Sequence, residues 1–289
     1  MITIITSLFK SNPYIKFYLE NITKCWDYRL CEHLIFNIKK SNSEETNELL
    51  NNYATKFTNI KIINLYEDPG IYNVWNTGVK MANYEYLLSS NVDDIISPIF
   101  LKLARDYLDK NQNINLVCFP VKISYKINTN NFNYKEGKVW FTNKRVYDKK
   151  YIKNNTEIYS KNKDSLLHKI DRKKRRLLKN YGYCKYNFFD KYDMINIDKN
   201  IITSHNIPHC CPVWRKNLHD IYGYFDEETY GPYADYEFWL RCMNNKTLYG
   251  LIPIPAVIYY INPNSHNRRN KDEEKLNKIF YKYFRIRNR

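Results

Sequence analysis

The chain has 289 residues, enough for one large domain or two small ones around a sizeable core. Its 44% hydrophobic and 26% charged residues are those of a globular protein, and no apolar run reaches membrane-spanning length. A net charge of +16 suits an anionic partner such as nucleic acid, a membrane surface or a nucleotide phosphate, but general Lys richness gives the same figure, so charge alone selects none of them.

Seven cysteines (Cys25, Cys31, Cys118, Cys184, Cys210, Cys211, Cys242) form no Cys-x-x-Cys pair. Their odd number in a long chain suits a reduced, cytosol-like compartment. The N-terminus runs straight into a strand with no signal-peptide pattern, so a cytoplasmic protein, soluble or peripherally membrane-associated, is expected.

Residues 2–8 are β-branched and apolar, the pattern of a buried first strand. Ser11-Asn12-Pro13 then opens a helix to about residue 25, with Ile15, Tyr18, Leu19 and Ile22 at helical spacing. A second strand at 32–38, a helix carrying Leu49, Leu50 and Tyr53, and a third strand at 60–65 follow. Strand and helix in alternation predict a parallel sheet with crossover helices. Asp68-Pro69-Gly70 reads as a turn, and the helix after it can bury Val74, Gly78 and Met81, with Gly78 small enough for close approach to the sheet.

The stretch 84–98 is the most informative. Its first half reads as a short buried strand running into Asn91-Val92-Asp93-Asp94. Acids at the C-terminal end of such a strand lie where open α/β sheets bind ligands. Two adjacent carboxylates repel unless a cation or polar ligand lies between them, and a hard divalent ion on a diphosphate meets that need. The competing reading makes Asp93 and Asp94 caps for a helix starting near Ser97-Pro98. A helix to about 110 and a strand at 116–123 complete this half.

From 124 to about 200 the alternation stops, and residues 171–179 form a basic run within an amphipathic pattern. A strand at 206–215 contains His209-Cys210-Cys211. With His205 these could suggest a zinc site, but the spacing fits no common pattern, and adjacent cysteines on a strand point to opposite faces, so a structural role is expected. Asp235 falls in the first turn of a helix whose apolar face is Phe238, Trp239 and Met243. Short strands at 248–251 and 256–261 close the core. Residues 271–289 form a basic amphipathic helix that could lie on an anionic membrane surface or cover the protein's own sheet.

Three blocks together resemble family 2 of the GT-A glycosyltransferases, mainly inverting enzymes that use nucleotide sugars. Asp68-Pro69-Gly70-Ile71-Tyr72-Asn73-Val74-Trp75-Asn76-Thr77-Gly78 resembles the family's Asp-x-Gly-Ile-Tyr-Asp-Ala-x-Asn-x-Gly block. Residues 84–94 resemble its Gly-Glu-Tyr strand and Asp-x-Asp-Asp motif. Gly223-Tyr224-Phe225-Asp226-Glu227 and Asp235-Tyr236-Glu237 resemble its Gly-x-Phe-Asp-Glu and Glu-Asp-x-Glu blocks.

The resemblance implies an α/β GT-A fold, Rossmann-like, with a mostly parallel central sheet flanked by helices. It implies a nucleotide-sugar-binding half at 1–123, a basic acceptor-side insertion at 124–204, an acceptor-binding and catalytic half at 205–262, and a basic amphipathic tail at 263–289. Asp93 and Asp94 are implied to bind the ribose and a divalent metal, Mn2+ or Mg2+, with Asp94 the preferred metal ligand. His266 is implied as a further ligand. Thr6, Ser7, Asn37, Asp68 and Asn76 are implied to face the nucleotide or donor sugar, and Asp235 is implied to be the general base. The expected partners are a nucleotide-sugar donor, first of all a UDP-sugar, and a glycan or other hydroxyl acceptor.

Asn91 replaces the first acid of Asp-x-Asp-Asp, Asn37-Ile38-Lys39-Lys40 replaces acids after the second strand, and Ala234 replaces the acid before Asp235. The alternatives are a basic nucleic-acid-binding protein, for which no recognised motif exists, and a non-catalytic sugar-nucleotide-binding relic of the same fold. The sequence leaves the donor sugar, the acceptor and the oligomeric state open.

Overall fold

In a computed structural model, β1 (Ile2–Leu8) pairs in parallel with β2 (Glu32–Ile38) on one side and with β4 (Tyr86–Ser89) on the other. All seven residues of β2 are buried, as expected of a central parallel strand covered on both faces. The residues described are 1–119, 121–124, 127–128, 195–197, 206, 208, 210–245, 247–252, 254, 256–260 and 272–284.

The main sheet has eight strands in the order β3-β2-β1-β4-β9-β6-β10-β8, with β3 at Ile60–Leu65, β6 at Ile114–Cys118, β8 at Ile195–Ile197, β9 at Val213–Arg215 and β10 at Leu248–Leu251. It is mostly parallel; β9 runs antiparallel to β4 and β6, and β8 antiparallel to β10. A second sheet joins β5 (Ile95–Ile96), β11 (Val257–Tyr260) and β7 (Val121–Ser124), with β11 in the middle.

Alternation along β1 sends Ile2, Ile4 and Leu8 to one face and Ile5 to the other. The first face meets α1 (Ile15–Ile22) and α2 (Glu44–Lys56) through Tyr18, Leu19 and Leu50. The second meets α3 (Ile71–Met81) through Val74 and Val79. Gly78 permits this contact: a Cβ there would lie 2.5 Å from Ile5 Cγ2. Met81, expected on the same face, is 43% exposed.

On that second face, α5 (Asn217–Tyr222), α6 (Glu227–Tyr230) and α7 (Ala234–Asn244) gather aromatic rings over β9. Trp214 meets Trp239 edge-on at 5.4 Å, and Phe225 meets Phe238 at 4.8 Å.

Three expected boundaries move. The strand expected at 116–123 is two, β6 and β7, which belong to different sheets on either side of the fully buried Phe119. The strand at 206–215 shrinks to β9, because Cys211 takes a left-handed φ of 54°. The helix expected near Ser97-Pro98 is α4 (Phe100–Lys110), with no side-chain cap. β5 comes between it and Asp94, so neither Asp93 nor Asp94 caps it.

The last helix, α8 (Glu273–Phe284), packs onto the protein. Ile279 is fully buried, while Lys282 Nζ and Tyr283 OH donate to Glu237 Oε1 at 2.8 and 2.5 Å. Glu237 is itself fully buried on α7 and also accepts from Arg241. Two cations and a phenol donor therefore satisfy it, as a buried carboxylate requires. No helix among the described residues is long and apolar enough to cross a membrane.

Candidate active site at the carboxyl edge

The carboxyl ends of β1 to β4 open on one edge of the sheet, where ligands of such sheets bind. Two acidic corners follow, one on the loop after β4 and one in the first turn of α7.

The first follows β4. Asn91 turns the chain, with the Asp94 amide donating to its carbonyl at 3.2 Å and its own side-chain amide donating to Asp94 Oδ2 at 3.3 Å. Asp93 is half-buried, whereas Asp94 is only 1% exposed. Desolvation drives the Asp94 carboxyl well above the usual carboxylate range, and the charge of Asp93 adds to it. Asp94 Oδ1 is buried and makes no hydrogen bond. Asn91 thus supplies a side-chain donor that an ionised Asp could not, while removing a charge.

An orphaned buried carboxylate oxygen beside a half-buried carboxylate is an arrangement that a cation would complete. The residues at this corner therefore fit a divalent ion. His266 lies outside the described residues, as do His205, His209, Cys184 and the basic run at 171–179.

The second corner is Asp235, in the first turn of α7. Its Oδ1 accepts from Tyr72 OH at 2.9 Å and from the Tyr236 amide at 2.7 Å. Its Oδ2 accepts from the Asn206 side-chain amide at 2.9 Å. Burial first, and then the Asp235 charge, push the Tyr72 phenol well above its ordinary value, so it stays a donor. A carboxylate oxygen accepts about two hydrogen bonds, so Oδ2 keeps one lone pair among the described residues. The arrangement is an aimed, half-buried carboxylate that can take one proton at a defined atom.

The remaining expected residues are placed as follows. The Thr6 hydroxyl is fully buried against Tyr18 OH (2.8 Å) and His33 Nε2 (3.0 Å). Thr6 has the parity of Ile4 and Leu8, so its side chain points toward α1. Ser7, on the opposite parity, is half-buried. Asn37 is 2% exposed and belongs to an amide cluster, donating to Asn47 (2.8 Å) and Asn64 (3.1 Å) and accepting from Asn42 (3.0 Å).

Asp68 is exposed and accepts from the Gly70 amide at 3.0 Å, which shapes the turn into α3. The Asn76 side-chain amide donates to the Phe225 carbonyl at 2.8 Å, and its oxygen accepts from the Phe225 amide at 3.0 Å. Both of its heteroatoms thus fasten the loop before α6 to α3.

Sequence reasoning missed Tyr72 and Asn206 as partners of Asp235. Tyr72 lies within the matched block, and its place at the start of α3 was the available signal. It also missed that Cys210 and Cys211 converge. They lie in a bend rather than a strand, and their sulfurs fall within 4.8 Å of each other and of an Asp94 carboxylate oxygen.

In solved structures the fold recurs at low identity. S. aureus TarS 1-349 in complex with UDP-GlcNAc is 15% identical with a TM-score of 0.61, over 96% of this chain and 65% of that one. The same protein with UDP gives 16% and 0.56, over 97% and 63%. The mannosyltransferase PcManGT from Pyrobaculum calidifontis, with GDP-Man and Mn2+, gives 13% and 0.55, over 98% and 64%. The chain therefore spans just under two thirds of each of these. Among curated proteins, none matches by sequence. The family model described as glycosyl transferase family 2 matches residues 3–222, most of the chain, and the chain belongs to that family.

Proposed function

We propose that the protein moves a sugar from a nucleotide-diphosphate sugar, a UDP-sugar first, to the hydroxyl of a glycan or other acceptor, with inversion. The observation that carries this is Asp235. A carboxylate held by Tyr72 and Asn206 with one lone pair left on Oδ2 is built to accept a proton. It stands on the same sheet edge as Asp93 and Asp94.

In this reading the acceptor oxygen attacks the anomeric carbon from the side opposite the diphosphate. Its proton passes to Asp235 Oδ2, a carbon–oxygen bond forms, and the bond to the phosphate oxygen breaks. Asp93 and Asp94 would hold a divalent ion, Mn2+ or Mg2+, which when bound supplies charge neutralisation for the departing diphosphate. Of the two, Asp93 is the more accessible carboxylate and Asp94 the more buried. The solved relatives that carry UDP, UDP-GlcNAc, and GDP-Man with Mn2+ support a nucleotide-sugar donor.

A thermal-shift panel of nucleotide sugars with and without Mn2+, followed by donor turnover, tests the reading, since a ligand that binds only the folded state raises its apparent stability. A metal-dependent shift with turnover is expected. A shift without turnover would point instead to a non-catalytic relic. Salt-sensitive oligonucleotide binding with no response to any nucleotide sugar would point to a nucleic-acid-binding protein.

A further inference from the structure

Cys210 and Cys211 precede β9 in a bend. Cys211 has a φ of 54°, a backbone conformation uncommon for any residue but glycine. The bend sends both side chains into one buried cluster, where the cysteines are 4% and 3% exposed. Their sulfurs and one carboxylate oxygen of Asp94 all lie within 4.8 Å of one another. Independently of this convergence, Asp94 Oδ1 is buried without a hydrogen-bond partner among the described residues.

We infer that Asp94, Cys210 and Cys211 form a binding site for a thiophilic divalent cation of the zinc class. Two sulfurs and one oxygen suit zinc or cadmium, whereas Mg2+ and Mn2+ favour oxygen donors. Zinc–sulfur bonds of ~2.3 Å and zinc–oxygen bonds of ~2.1 Å at tetrahedral angles put ligand atoms roughly 3.5–3.8 Å apart. The observed triangle needs at most a modest contraction to reach that. Three protein ligands leave a fourth position open. A cation here would tie the corner after β4 to the segment that enters β9, directly behind Asp93. The site shares Asp94 with the diphosphate-bound ion proposed above but differs from it in its sulfur ligands, and it does not depend on the proposed sugar transfer.

The test is a Cd2+ titration of the full chain, followed by the near-ultraviolet thiolate-to-cadmium charge-transfer band, with the thermal midpoint measured alongside in Zn2+. A saturating band, a raised midpoint, loss of both in Cys210→Ser/Cys211→Ser, and an affinity lowered by ~10-fold or more in Asp94→Asn are expected. A missing band, or a band that survives in the double variant, overturns the proposal. Should the double variant not fold, Zn2+ must protect two of the seven thiols of the unaltered chain from a thiol reagent. Equal reactivity of all thiols with and without Zn2+ overturns it equally. Neither readout involves a nucleotide sugar, so failure here leaves the transferase reading standing, and the reverse also holds.

Discussion

Asp235 and Asp94 are acids on the same edge of one sheet, yet they are finished to different degrees. Asp235 has three donors, from α3, from its own helix and from Asn206, and one lone pair left over. Asp94 is deeper, accepts from Asn91 at 3.3 Å, and among the described residues leaves Oδ1 without a partner. Donors fixed in advance keep a carboxylate aimed, as a base requires. A buried carboxylate without them either keeps a proton or waits for a cation. The Asp235 corner is complete among the described residues alone; the Asp94 corner becomes complete only with an ion.

The largest expected effect tests the finished corner. Asp235→Asn keeps the size and most of the hydrogen bonds but removes the proton acceptor, so kcat on the true donor should fall ~10²–10⁴-fold. Donor binding, read by thermal shift, should be retained; a variant with near-normal kcat would remove Asp235 from the base role.

On the pH axis, the frame beneath the corners and the unfinished corner should separate. His33 and His219 are buried, and desolvation lowers them to about 3 and about 4, so both are neutral in the fold. The unfolded chain binds protons there first. Stability should therefore fall as pH drops below about 6.5, by about 2 kcal/mol per histidine at pH 5. Urea midpoints of His219→Gln against the unaltered chain across this range check it.

Asp94 has the opposite sign. Its folded carboxyl titrates above its unfolded one, so the folded state holds the proton longer and stability is lost as pH rises from about 3.8. In chelator, Asp94→Asn should gain on the unaltered chain between pH 4 and 7, by on the order of 1–3 kcal/mol at neutral pH. Added divalent ion should reverse the ranking. Parallel pH curves for the two proteins would show that Asp94 is already satisfied.

The smallest effect sharpens the comparison at Asp235. Tyr72→Phe removes one donor from Oδ1 and should lower kcat by ~10-fold, from a hydrogen bond to a charged group worth about 1.5 kcal/mol. KM for the donor should move little.

Much of the frame was legible in the chain. The strands at 2–8, 32–38 and 60–65 coincide with β1, β2 and β3, because an apolar β-branched run bounded by polar turns is a local signal. Gly78 announced the contact of α3 with Ile5, since only a missing side chain allows it. Asp235 was placed correctly in the first turn of its helix, for the same local reason. The roles of Thr6 and Asn76 were not legible. A strand's parity says that Thr6 is on one face, but not that Tyr18 and His33 wait there; nor does spacing reveal that Asn76 holds a loop 149 residues away.

The sequence by itself determined the alternation of strands and helices, the family blocks, and the presence of acids where strands end, because each is written in residues close together along the chain. Tertiary structure alone decided that Tyr72 reaches Asp235 across 163 residues, that Asp94 is left with a bare oxygen, and that one left-handed residue turns Cys210 and Cys211 toward it. Hydrogen-bond pairing and backbone handedness depend on which segments the packed core brings together, and distant partners leave no periodic trace in the sequence that encodes them.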